Sequence, residues 1–99
     1  MVFAMEPAAV GLSSATESGL AAAAAAGAAA GGPALLGVTY LGADVDSVEF
    51  AEALRAVMAA YLGVTGEHVA QRGLLAQAQS LAAVTAVATE SLRAAAAAL

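Results

Sequence analysis

Cysteine is absent from the chain, and with it go disulfides, thiolate chemistry and cysteine-based zinc sites. A single histidine supplies no metal-ligand cluster, so neither a metal nor a cofactor is expected. Lysine is missing as well, and Arg55, Arg72 and Arg93 stand against eight carboxylates for a formal charge of −5. Three cations spread over about forty residues make no basic patch, which argues against a phosphate-backbone footprint and an anionic-membrane footprint. Nucleic acid is not an expected partner. Isoleucine is absent and β-branched residues are few, so the composition does not favour strands.

What is present is alanine, at 32 of 99 residues, against 29 residues of Val, Leu, Met, Phe and Tyr together. Alanine is the best helix former and buries little area, so an all-α chain of long, closely packed helices is expected. A domain this small with so little apolar bulk is marginal alone unless disulfides, a metal or a partner contributes. The counts above remove the first two and leave a partner.

A mean hydropathy of +0.84 raises the question of a membrane. Met1 to Gly19 carries Glu6 and Glu17 and no Lys or Arg, so it does not read as a Sec signal peptide. The most apolar window, Leu20 to Gly32, is Ala and Gly rather than Leu, and is shorter than the roughly 20 residues a span requires. A transmembrane helix is therefore not expected.

Pro7 can begin a helix, and only Gly11, Gly19 and Gly27 interrupt the pattern from there to about residue 30. Their eight-residue recurrence advances a helix about 80° beyond two full turns, so they drift round it. They read as small residues permitting close helix approach; no phosphate-cradling GxGxxG is present. Gly31-Gly32-Pro33 is the strongest punctuation and marks the expected stop. Leu35, Leu36, Val38, Tyr40 and Leu41 make the segment that follows too apolar for a solvated linker, so it should pack across the end of a helical pair, with Tyr40 leaving its hydroxyl wet.

Asp46 with Glu49 three residues later fits a capping box for a second helix, and Asp44 and Glu52 add to the acidic cluster at its positive end. No proline interrupts the chain from Ser47 to Ala98, which as one helix would be about 75 Å long. Its seam runs through Phe50, Leu54, Val57, Tyr61, Val64, His68, Gln71 and Leu75, continuing to Leu92 in steps of four and three. Leu74, Leu81 and Val84 form a second edge, and a helix with two apolar edges needs more than one neighbour. Gly63, Gly66 and Gly73 each cost about 1 kcal/mol relative to Ala, which suggests either close approach by a partner or a break. The lone His68, the scattered serines and the capping carboxylates assemble no catalytic set, so an enzyme is not expected. The expected organisation is a single domain of two long antiparallel helices, about 7–30 and 46–98, joined by a loop at about 31–45 and completing a helix bundle with a partner.

Several features together resemble the PE proteins of mycobacteria and their relatives, small Ala/Gly-rich helical hairpins exported by type VII secretion. They are the opening Met1-Val2-Phe3 with Pro7 following, the Ala-rich first helix, Gly37-Val38, then Gly42-Ala43-Asp44, and Phe50 and Tyr61 in the second helix. The resemblance covers most of the chain. It implies pairing with a PPE protein in an antiparallel bundle, engagement of an EspG-type chaperone through that partner, and recognition of a YxxxD/E signal on the PE side. The chain departs from the pattern twice. Pro7 is followed by Ala8 in place of the namesake Glu, and the register set by Asp44 and Tyr61 puts Ala86 at the signal tyrosine and Glu90 at its acidic residue. Reliance on the partner for export, loss of independent secretion, and an EspC-type relative are the alternatives this leaves.

The expected function is thus a non-enzymatic subunit that pairs with a PPE-like protein and leaves the cell with it, to be secreted or held at the surface. Its interface would comprise Phe50, Leu54, Val57, Tyr61, Val64 and Leu75, with Leu12 and Leu20 from the first helix. The alternative is a self-associating or membrane-active secreted protein using the same stripe, with association to the membrane or cell envelope. A membrane-surface helix normally carries Lys and Arg where this one carries Glu, which favours a protein partner.

Overall fold

The computed structural model describes residues 4–40 and 42–99; the opening Met1-Val2-Phe3 and Leu41 lie outside them. Two helices account for nearly all of these residues, α1 at Pro7–Leu36 and α2 at Val45–Ala97, and no strand occurs among the described residues. The two helices pack against each other, and their residues fall into two compact units, Met1–Leu20 with Gln71–Leu99, and Ala21–Ala70.

Helix α1 opens as its sequence dictates. Pro7 takes the first helical position, where its missing N–H is no loss, and the Glu6 carbonyl accepts the Val10 N–H at 3.1 Å. The end differs from expectation, because α1 runs through Gly31-Gly32-Pro33 to Leu36. Pro33 is exposed and one turn from the end, so the hydrogen bond it cannot donate is lost where water is at hand. Continuing the helix places Leu35 half-buried in register with Gly32. Gly37 then closes the last turn with an N–H to the Pro33 carbonyl at 2.9 Å, and a Cβ there would lie 2.8 Å from that oxygen. The connection is correspondingly shorter than expected, and Leu35 and Leu36 belong to the helix.

Helix α2 is capped two residues earlier than the Asp46–Glu49 pairing suggested. Asp44 accepts the Ser47 N–H at 3.0 Å through one carboxylate oxygen and the Ser47 hydroxyl at 2.8 Å through the other. These bonds hold the Asp44 carboxyl below its ordinary value of 3.8, the hydroxyl bond most of all. Gly63, Gly66 and Gly73 do not break α2, and a Cβ at any of them would meet nothing within 4 Å. The same holds at Gly11, Gly19 and Gly27, so these three glycines do not bring the helices together as their spacing suggested. Gly32 is buried, and a Cβ there would make only ordinary contact with Leu62 Cδ1, at 3.7 Å.

The core made this way is thin. Among the described residues the buried ones are Ala21, Gly32, Ala51 and Ala76, and no large side chain is fully covered. Small residues on the facing sides allow the helices to approach closely, and the larger side chains are left outside.

Candidate partner interface

In the Ala21–Ala70 unit, the part of α2 that α1 covers runs through Ala51, Arg55, Met58, Leu62, Thr65 and Val69, all buried or half-buried. This is the same four-and-three stepping as the seam read from sequence, moved one residue along and so about 100° round the helix. The sequence seam itself is left open. Phe50, Val57, Tyr61 and Val64 are between 52% and 62% exposed, and Leu54 is half-buried. His68, expected on a packed seam, is exposed as well. Together these make a row of large apolar side chains that the described residues leave open.

One charged residue that the sequence reading passed over organises the connection in this unit. Arg55 donates to the Val38 carbonyl from Nε at 2.9 Å and also from Nη2, and its guanidinium carbon lies 5.2 Å from the Tyr40 ring centroid. Val38 is half-buried and Tyr40 exposed, so the expected packing of this segment is achieved by a guanidinium fork and a ring face more than by apolar burial. An arginine on a face whose other members, Ala51, Met58, Leu62, Thr65 and Val69, carry no charge was the available signal.

No protein-family model, curated protein or solved structure matches the chain. The chemistry of the face must therefore be read from the residues themselves.

In the unit formed by Met1–Leu20 and Gln71–Leu99, the contact between helices is polar. Ser14 donates its hydroxyl to the Ala76 carbonyl at 2.6 Å, Gln79 Nε2 donates to Ser13 Oγ at 3.0 Å, and Arg72 Nη1 pairs with Glu17 Oε2 at 2.9 Å. Gln79 Oε1 is buried and has no partner among the described residues. Leu12, Leu20 and Leu75, three of the expected interface positions, are exposed here. Leu74, Leu81, Val84, Val87 and Leu92 are exposed with them, and Pro7, Ala83, Val84, Val87 and Ala88 line an open apolar depression of about 410 Å³. The altered signal positions lie inside α2, with Ala86 half-buried and Glu90 exposed and bonded to Arg93 at 2.8 Å. Among the described residues no group of three His, Cys, Asp or Glu side chains is placed to hold a metal. Among the described residues, then, the chain presents open apolar faces on both units.

Proposed function

We propose that this chain is a non-enzymatic interaction subunit that pairs with a PPE-like helical protein, completes a helix bundle with it, and is exported with it by type VII secretion. The observation that carries the reading is the placement of its apolar bulk. Covering Ala51 and Ala76 while leaving Phe50, Val57, Tyr61 and Val64 open is the reverse of what burial within one chain favours, since a large side chain gains about 1.5–3 kcal/mol when buried and alanine far less. The area agrees. The chain exposes 7132 Å², whereas a folded monomer of 9.4 kDa exposes about 5,000 Å². The surplus of about 2,000 Å² is what one member of an obligate pair contributes.

The PE resemblance gives this partner its class and its route out of the cell, with an EspG-type chaperone engaged through the PPE-like member. Ala86 removes the aromatic part of the export signal, so on this reading the partner carries that signal.

A second reading, association with a membrane or the cell envelope, is favoured by one observation. The helix α1 is 30 residues long and apolar enough to cross a bilayer by length and composition, whereas the Leu20–Gly32 window alone was too short. Ser13, Ser14, Thr16, Glu17 and Ser18 within it weigh against a lipid environment.

Co-expression with the neighbouring reading frame, followed by size exclusion with light scattering and circular dichroism, tests the pairing. A strongly helical one-to-one heterodimer is expected. A chain that stays monomeric with a sharp melt of its own removes the reading, and flotation with liposomes in the absence of any protein partner would put the membrane in its place.

A further inference from the structure

The open row in the Ala21–Ala70 unit has an outer edge, on the side away from the positions α1 covers, and the charged residues along that edge, Asp46, Glu49 and Glu67, are all acidic. Asp46 stands one turn before Phe50, and Glu67 one turn after Val64. Asp46 and Glu67 are three heptads apart, within about 60° of one another round α2 and so along one side of the row, about 30 Å from end to end. Between them the same side carries Ala53 and Ala60, which leave the apolar row accessible. All three carboxylates are exposed, and none takes part in a hydrogen bond or ion pair among the described residues.

The chain has no cation to answer them. Arg55 is committed to the Val38 carbonyl and the Tyr40 ring, Arg72 to Glu17 and Arg93 to Glu90, and there is no lysine. A second copy laid on this row would bring three more carboxylates and the same engaged arginines, adding to a charge already at −5. Like charges at the edge of an interface suppress the wrong partner, while opposite ones speed encounter and fix register.

We infer that the row Phe50, Val57, Tyr61, Val64 takes a partner helix whose apolar stripe is bordered by Lys or Arg, with Asp46 and Glu67 as its charge contacts, and that it does not take a second copy of this chain. The inference rests on the pairing proposed above and adds the chemistry by which the partner is selected.

The test uses the full chain and three synthetic helical peptides sharing one Leu/Val stripe, bordered by Lys, by Glu or by Gln. Binding is followed by fluorescence anisotropy in about 20 mM and about 0.5 M salt. The Lys-bordered peptide should bind about five-fold more tightly than the Gln-bordered one at low salt, as two exposed ion pairs allow, and the Glu-bordered one more weakly still. The difference should vanish at high salt. The double variant Asp46→Asn/Glu67→Gln should lose most of the preference and hold the Gln-bordered peptide unchanged. Val57→Asn should weaken all three, which ties binding to the row and separates it from general attraction to an acidic protein. Equal binding of Lys- and Glu-bordered peptides would overturn charge selection and leave the pairing reading standing. A Lys preference that survives Val57→Asn would overturn the placement on this row. Failure of every peptide, with light scattering showing a dimer of the chain alone, would overturn the inference and the pairing reading together.

Discussion

Arg55 reaches 17 residues back along the chain to bond the Val38 carbonyl, with Nε at 2.9 Å, and the same guanidinium lies 5.2 Å from the centre of the Tyr40 ring. One side chain about three turns into α2 thus fixes the path of the connection between the helices. The carbonyl it satisfies is half-buried, where an unpaired acceptor is costly.

Arg55→Ala should therefore destabilise the chain by about 1–2 kcal/mol, combining a lost charge-assisted bond with the lost ring contact. Arg55→Lys should recover only part of this, because an ammonium cannot present the two-pronged donor. Thermal melts of the two variants, with amide exchange over residues 37–44, give the comparison. Equal melts for wild type and Arg55→Ala would show that the connection is held by something else.

The Asp44 cap makes stability depend on acid. Its carboxyl titrates below 3.8 when folded because the Ser47 hydroxyl and N–H both bond the charged form. A depressed carboxyl contributes fully above the unfolded value of 3.8 and loses that contribution as pH falls from there through the lowered folded value. Asp44→Asn keeps an acceptor that does not titrate. Helicity followed down from pH 6 should show a fall below about pH 4 in wild type that is reduced in Asp44→Asn. Superimposable curves would remove the cap as its source. Gly42 is constrained by the same cap, since a Cβ there would stand 2.8 Å from an Asp44 carboxylate oxygen.

Which parts of this structure could be read in the sequence follows from which residues carry directional information. Pro7 and the Ala-rich run announce α1, and the period of Phe50, Val57, Tyr61 and Val64 marks an apolar line along α2 that α1 leaves open. Periodicity identifies a face but not what covers it. Alanine, the commonest residue, sits equally well inside or outside, so the covered face, with Ala51 at its start and only Met58, Leu62 and Val69 as apolar bulk, makes a weaker pattern than the open row beside it. Gly31-Gly32-Pro33 is a strong local stop signal that α1 runs through, with Gly32 buried and Leu35 half-buried beyond it. The polar contacts at Ser14, Glu17, Arg72 and Gln79 were visible as residues, but only the pairing of the two helices puts them opposite one another.

Those polar contacts make opposite predictions for neighbouring residues. Ser14→Ala removes the 2.6 Å bond to the Ala76 carbonyl and should cost about 1 kcal/mol. Gln79→Met keeps the shape and removes the buried, unpartnered Oε1, so it should be neutral or stabilise by about 1 kcal/mol despite losing the Ser13 bond. Chemical denaturation of the two single variants decides, and a larger loss at Gln79 than at Ser14 would mean that Oε1 has a partner in solution. The Glu17–Arg72 pair is partly exposed and should change stability by less than about 1 kcal/mol, with that small effect fading in salt.

The glycines within α2 separate the needs of the lone chain from those of a complex. Among the described residues, nothing beyond the local helix backbone lies within 4 Å of a Cβ at Gly63 or Gly66, so Gly63→Ala and Gly66→Ala should each stabilise by about 1 kcal/mol through helix propensity. Both stand away from the Phe50–Val64 row on the helix, so pairing through that row should be unaffected. Loss of pairing with gain of helicity would place a close backbone contact of the partner on this other face.

The open row supplies the most direct separation of stability from binding. Val57 and Tyr61 are 61% and 62% exposed, and changes at such sites usually move stability by no more than about 0.5 kcal/mol. Val57→Asn and Tyr61→Ala should accordingly leave the melt of the isolated chain nearly unchanged. In the heterodimer the same side chains would sit at the centre of a desolvated contact, where truncating an aromatic anchor costs more than about 2 kcal/mol, or over twenty-fold in affinity. Ala51→Leu is the converse, because Ala51 is 2% exposed and a larger side chain has to push the helices apart. It should destabilise the isolated chain by about 1–3 kcal/mol. If Tyr61→Ala instead destabilised the lone chain as much as Ala51→Leu, the row would be covered within the chain in solution, and the partner would have to be sought on the Leu74, Leu81 and Val84 side of the other unit.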